Sequence, residues 1–180
     1  MRLEISTAAV PELRFDGAEA GTFTGYASRF GEPDSYGDTI KPGAFRKTLA
    51  QRKATGGPSM FWNHDPGSPI GVWTELVEDA RGLKATGKLV TETARGAETL
   101  ALLKAGAVNG LSIGFRARAS ERGPGGGRVL TDIELVEISI VTLPGRSNAR
   151  ITDVRGAAVP TGAAAFIQAA RRAAICIRSR

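Results

Sequence analysis

The chain has 180 residues, 42% hydrophobic and 23% charged, which is enough apolar material for one buried core and excludes both a disordered chain and two full catalytic domains. One cysteine, Cys176, and one histidine, His64, exclude an internal disulfide framework, a multi-cysteine zinc site and any metal motif built on two imidazoles. The net charge of +6 is unevenly placed: from Gly156 onward there is no Asp, Glu or Lys, while Arg171, Arg172, Arg178 and Arg180 supply four of the six excess positives, so the body is close to neutral and carries no basic stripe for nucleic acid.

The opening Met1-Arg2-Leu3-Glu4-Ile5 has an early acid and no apolar run of signal-peptide length. No stretch approaches the roughly 20 apolar residues that span a bilayer, so a soluble, non-exported protein is expected. Gly21 to Phe30 alternates and is rich in Thr, Phe and Tyr, which predicts a strand entering the Gly31–Gly37 loop. Pro42 followed by Gly43-Ala44-Phe45-Arg46-Lys47-Thr48-Leu49 predicts a helix with proline in its first turn, stopped by Gly56-Gly57-Pro58. Ser59 to His64 reads as a short aromatic-rich strand, and Pro66-Gly67-Ser68-Pro69 as a turn. Ile70 to Glu78 and Leu83 to Val90 read as a hairpin joined through Asp79-Ala80-Arg81-Gly82.

Ala94 to Ala105 is a helix with a glycine stop at Gly106. Leu111, Ile113, Phe115 and Ala117 alternate with Ser112, Gly114, Arg116 and Arg118, which is strand periodicity. Arg122-Gly123-Pro124-Gly125-Gly126-Gly127-Arg128 is a flexible hairpin loop; it lacks the Lys-Ser/Thr and the following helix of a phosphate-binding loop. Val129 to Val141 is a nearly unbroken apolar strand closed by Leu143-Pro144-Gly145. Gly156 to Gly162 reads as a linker, after which Phe166, Ala170, Ala173, Ala174 and Ile177 recur at helical spacing beside the arginines.

About seven strands with two internal helices predict a mostly β, α+β domain over residues 1–155, a closed or nearly closed β-barrel with flanking helices. Residues 156–180 form a linker and a basic Ala/Arg-rich helix or tail. Three roles suit that tail: docking to a scaffold, a nucleic-acid arm, or an extension that is trimmed away.

Gly110-Leu111-Ser112-Ile113-Gly114 matches G-x-S-x-G, yet a nucleophile elbow needs a strand before the serine, a helix after it and a later histidine, and this chain has none of the three. What remains is a small hydroxyl on a strand, flanked by glycines that let another backbone come close. His64 ends a strand beside a tight turn, where rigid elements present side chains; it is either a capping histidine or a base able to activate a serine hydroxyl. Glu137 interrupts Ile133, Leu135, Val136, Ile138, Ile140 and Val141, and an unpaired carboxylate there would cost several kcal/mol. Its partner is either an arginine, in a structural salt bridge, or the second imidazole nitrogen of His64. Asp65 adjoins His64 and leaves the strand on the other side, and Asp132 and Glu134 lie at the more polar start of their strand.

Four ordered segments then carry a resemblance. Gly25-Tyr26-Ala27 with Gly37-Asp38-Thr39-Ile40-Lys41-Pro42-Gly43-Ala44-Phe45, Asn63-His64-Asp65 with Pro69-Ile70-Gly71, Gly110-Leu111-Ser112-Ile113-Gly114-Phe115, and Leu135-Val136-Glu137-Ile138-Ser139-Ile140-Val141 together resemble the caudovirus prohead serine proteases. The resemblance spans about Gly21 to Arg150. It implies a serine endopeptidase that cuts the scaffolding portion from the major capsid protein, and itself, inside the assembling prohead in the bacterial cytoplasm. It implies a fold similar to the herpesvirus assembly proteases, with Ser112 as nucleophile, His64 as general base and Glu137 as the orienting acid. The herpesvirus enzymes use a second histidine as third member, which this chain lacks.

The resemblance also implies backbone N–H groups of Gly145 and Arg146 as the oxyanion hole, no metal or organic cofactor, capsid or scaffold protein as the partner, and an oligomeric state left open, a dimer included. Two readings of other classes compete with it. One is a non-enzymatic capsid-associated protein with a protease-like fold. The other is a nucleic-acid-binding β-barrel using Tyr26, Phe61, Trp62 and Trp73, whose apolar contexts instead suggest core positions.

Overall fold

Alternating apolar segments broken by glycine-rich turns fold as strands here, in a computed structural model that describes residues 4–6, 21–34 and 36–142. In chain order the elements are β1 (Glu4–Ser6), β2 (Thr22–Arg29), β3 (Thr39–Ile40), α1 (Arg46–Thr55), β4 (Ser59–Trp62), β5 (Asp65–Glu78), β6 (Gly82–Leu89), α2 (Ala94–Lys104), β7 (Gly110–Arg122) and β8 (Arg128–Val141). The strands form one sheet in the order β1-β7-β8-β4-β5-β6-β2, with β3 pairing in parallel onto the start of β8. β4 also pairs in parallel with β8, further along it; the other ladders are antiparallel.

The side chains of one face make the core. Leu111, Ile113 and Phe115 of β7, Ile138 and Ile140 of β8, Met60, Trp73, Phe23 and Phe45 are all buried in a single cluster. Gly87 on β6 has no room for a side chain: a Cβ there would lie 2.6 Å from Met60 Cε, 2.9 Å from Trp73 Cζ3 and 3.0 Å from Phe23 Cζ. The missing side chain lets Phe23 and Trp73 meet edge to face, with centroids 5.6 Å apart. Helix α1 lies on β8, and α2 on β5 and β6. α2 starts at a threonine cap, Thr93 Oγ1 accepting from Gly96 N at 3.0 Å, and Gly106 N closes it onto Leu103 O at 3.0 Å. No described helix is long and apolar enough to cross a membrane.

The expected closed or nearly closed barrel is corrected to an open, curled sheet. Among the described residues no ladder joins the edge strands β1 and β2. β2 curls round against β7, but β7 already has β8 on one edge and β1 on the other, so it has no edge left over that stretch to close a barrel. Two local expectations shift as well. Pro42 and Gly43 lie in turns ahead of α1, where Gly43 N and Phe45 N donate to the Glu78 carboxylate. Pro66-Gly67-Ser68-Pro69 is an irregular stretch inside β5, and the chain reverses earlier, at Asn63-His64. The hairpin expected through the glycine loop does form: β7 and β8 pair up to Arg122 and Arg128, with one 3-10 turn, Pro124–Gly126, between them. The expected tail over 156–180 lies outside the described residues.

Asp79 anchors the β5–β6 turn, accepting from Tyr26 Oη at 2.6 Å and from Arg81 N and Gly82 N at 2.7 and 3.1 Å. Burial pushes its pKa up, but the Tyr26 hydroxyl and the two N–H groups outweigh burial and hold the carboxyl below its ordinary range. A lowered folded-state pKa means a contribution complete above the ordinary Asp value of ~3.9 and lost as pH falls through the folded value. Asp79→Asn is therefore expected to cost about 1 kcal/mol at neutral pH. In urea melts the gap to wild type should narrow as pH falls below the ordinary Asp range; a gap unchanged in strong acid would contradict the ionised hydrogen-bonded turn.

Candidate active site

Register decides what shares the second face of the sheet. In an antiparallel ladder directly opposed residues point the same way, and here Ser112 opposes Ser139 while Gly114 opposes Glu137. Ile113 opposes Ile138 and points into the core. The polar alternates of two otherwise apolar strands therefore form one block of four positions, with Phe61 of β4 beside Ser139. All four positions are buried: Ser112 and Ser139 are 0% exposed and Glu137 4%.

His64 reaches this block from the β4–β5 turn. Trp62 and Asp65 pair across a two-residue connection in which Asn63 (φ 49°) and His64 (φ 61°) are both left-handed, the geometry of a type I′ hairpin turn. Asn suits the first position; the second ordinarily takes glycine, so a histidine there stores on the order of 1 kcal/mol of strain. Three bonds to β8 and its end hold the turn: Asn63 N donates to Ile140 O at 2.9 Å, Thr142 N to Asn63 Oδ1 at 3.0 Å, and His64 N to Ser139 Oγ at 3.2 Å. A strained residue over-determined in this way is a common mark of a functional position.

The side chains then form a chain of hydrogen bonds. His64 Nδ1 lies 2.5 Å from Glu137 Oε1, and His64 Nε2 lies 2.8 Å from Ser112 Oγ. Glu137 Oε2 accepts from Ser139 Oγ at 2.6 Å. An ionised carboxylate only accepts, so Nδ1 carries the proton and the Nε2 lone pair faces the Ser112 hydroxyl. That arrangement can take the proton of Ser112 Oγ as the oxygen attacks an electrophile, and hold the resulting imidazolium against a buried anion.

Ser112, His64 and Glu137 are thus brought together, across 48 and 73 residues of chain. Among the described residues the charged partner of Glu137 is the imidazole and not an arginine. The rival acids are engaged elsewhere. Asp65 accepts from Ser68 Oγ and Gly67 N, which hold its carboxyl below the ordinary range. Asp132 bonds Lys47 at 2.6 Å, and Glu134 bonds Arg116 at 3.0 Å and lies 3.6 Å from Arg118. Gly145 and Arg146 lie outside the described residues.

Three further residues shape the site in ways their local sequence does not announce outright. Gly114 is one: a Cβ there would lie 2.3 Å from Glu137 Oε1 and 2.9 Å from Cγ and Cδ, so the absent side chain is the space the carboxylate occupies. Ser139 and Asn63 are the others. A signal was present for both, since a Ser two residues after a buried Glu on a strand shares its face, and Asn is a favoured first residue of a type I′ turn.

A family model described as caudovirus prohead serine protease matches residues 8–161. The chain is 38% identical over 148 residues to the prohead protease of Enterobacteria phage HK97, covering 80% of this chain and 65% of that protein. It is 32% identical over 145 residues to a capsid polyprotein of Pseudomonas phage PAJU2, covering 76% of this chain and 20% of that one. The chain therefore spans less than two thirds of the length of either relative. Among solved structures it is similar to the bacteriophage T4 capsid assembly protease gp21, with a TM-score of 0.65 and 15% identity over 79% of this chain and 98% of that one, a likeness of fold.

Proposed function

We propose, since this chain belongs to the caudovirus prohead serine protease family, that it is a serine endopeptidase which cuts the scaffolding portion from the major capsid protein, and cuts itself, inside the assembling prohead in the host cytoplasm. The observation that carries this reading is the bonded series Ser112 Oγ, His64 Nε2, His64 Nδ1, Glu137 Oε1, at 2.8 and 2.5 Å. Similarity to part of a capsid polyprotein supports a capsid substrate.

In this reading Ser112 Oγ attacks the scissile carbonyl carbon while His64 Nε2 takes the hydroxyl proton. The tetrahedral intermediate collapses, the C–N bond breaks, and the imidazolium returns that proton to the leaving amine. Water then attacks the acyl-enzyme with His64 again as base, releasing the acid and restoring Ser112. Glu137 accepts the Nδ1–H bond throughout and stabilises the imidazolium. Backbone N–H groups of Gly145 and Arg146 are assigned to the developing oxyanion.

The test is co-expression with a tailed-phage major capsid protein that still carries its scaffolding portion, followed by mass measurement of the products. Wild type should yield a truncated capsid protein that the Ser112→Ala form does not. An intact precursor with both would instead favour a non-enzymatic capsid-associated protein.

Gly114→Ala supplies a sharper test of the geometry. The added methyl must push the Glu137 carboxylate off its two hydrogen bonds, and misplacement by about 1 Å costs on the order of 100-fold in rate. A loss of roughly that size in kcat/KM is expected, with the circular dichroism spectrum retained. Wild-type kcat/KM in a folded variant would show that Glu137 is not needed where it sits.

A further inference from the structure

We propose that Ser139 is a positioning residue that fixes the tautomer and orientation of His64 by holding the acid and the base from both ends. Its catalytic consequence rests on the peptidase reading above; its effect on the imidazole does not.

Ser139 lies between Ile138 and Ile140, directly opposite Ser112, and is 0% exposed. A hydroxyl in such a place has one proton to give. The Glu137 carboxylate can only accept, so that proton goes to Oε2 at 2.6 Å, and the lone pairs of Ser139 Oγ face His64 N at 3.2 Å. One oxygen thus ties the free end of the acid to the backbone of the residue that carries the base. The terminal torsion of a glutamate is broad and soft, so a carboxylate held by one oxygen alone can swing. With Oε2 anchored, Oε1 stays aimed at Nδ1, and the Nε2 lone pair stays aimed at Ser112. The anchor also acts on the turn: His64 is held in the left-handed region, and its N–H has Ser139 Oγ as acceptor. Removing the hydroxyl therefore loosens both partners of the 2.5 Å bond at once.

The chain's single histidine makes the test direct, because nitrogen NMR of the full chain shows one imidazole. In Ser139→Ala the share of neutral imidazole protonated at Nδ1 should fall. In the same variant kcat/KM should drop about 10- to 100-fold through kcat, with KM little changed, as expected for the loss of one or two buried hydrogen bonds. Ser139→Thr, with its hydroxyl on the same carbon, should restore both. If Ser139→Ala does not fold, Ser139→Cys keeps the shape, donates weakly, and is read by the same measurements. A folded Ala or Cys variant with the wild-type tautomer share would overturn the inference. Absence of proteolysis by the wild type, with the tautomer shift intact, would overturn the peptidase reading and leave this one standing.

Discussion

Ser112→Ala is expected to lower kcat for cleavage of the capsid precursor by about four to six orders of magnitude, the range seen when a serine nucleophile is deleted from a triad. The fold should survive. The side chain is small, sits on a fully buried strand position where alanine fits without a cavity larger than one oxygen, and leaves β7 paired with β8 through the backbone. The change in stability should stay within about 1 kcal/mol, the net worth of one hydrogen bond. Time courses of precursor cleavage with matched thermal melts would check both halves. A folded variant that cleaves at even a hundredth of the wild-type rate would place the nucleophile elsewhere.

Glu137→Gln is the second large effect, on the order of 10³- to 10⁴-fold in kcat, because the substitution keeps volume and removes charge. The amide has one oxygen and one NH₂ to offer two different partners. If its oxygen faces Nδ1, the imidazolium formed during attack lacks a buried counter-charge. If the NH₂ faces Nδ1, the proton is forced onto Nε2, which then points a hydrogen at Ser112 and cannot act as base. The single imidazole distinguishes the two orientations by the position of its proton. A loss of less than about tenfold in Glu137→Gln would mean the buried 2.5 Å bond is structural.

Much of the site could be read from residue types alone. With only one histidine, any imidazole chemistry had to involve His64, and a lone carboxylate in an apolar strand had to find a partner. What escaped was whatever depends on the space between strands. Gly114 looks like half of a serine motif, and its role becomes visible only when β8 is laid beside it and Glu137 fills the place of its missing side chain. The turn was expected at Pro66-Gly67-Ser68-Pro69, where turn residues cluster; it forms at Asn63-His64 because three bonds to β8 and its end outweigh the strain of a left-handed histidine.

The sequence carries most of the elements as local preferences of neighbouring residues: period-two alternation in β7 and β8, the glycine stop after α2 and the turn between β5 and β6. It also determined the cast, one hydroxyl, one imidazole and one buried acid in otherwise apolar or turn segments. The assembled sheet alone shows that it stays open and that β4 pairs in parallel with β8. Only it set Ser112 opposite Ser139 and Glu137 opposite Gly114. Those outcomes turn on strand edges and register between segments dozens of residues apart, where the choice is made by competing ladders and shared burial and leaves no mark on any short stretch of chain.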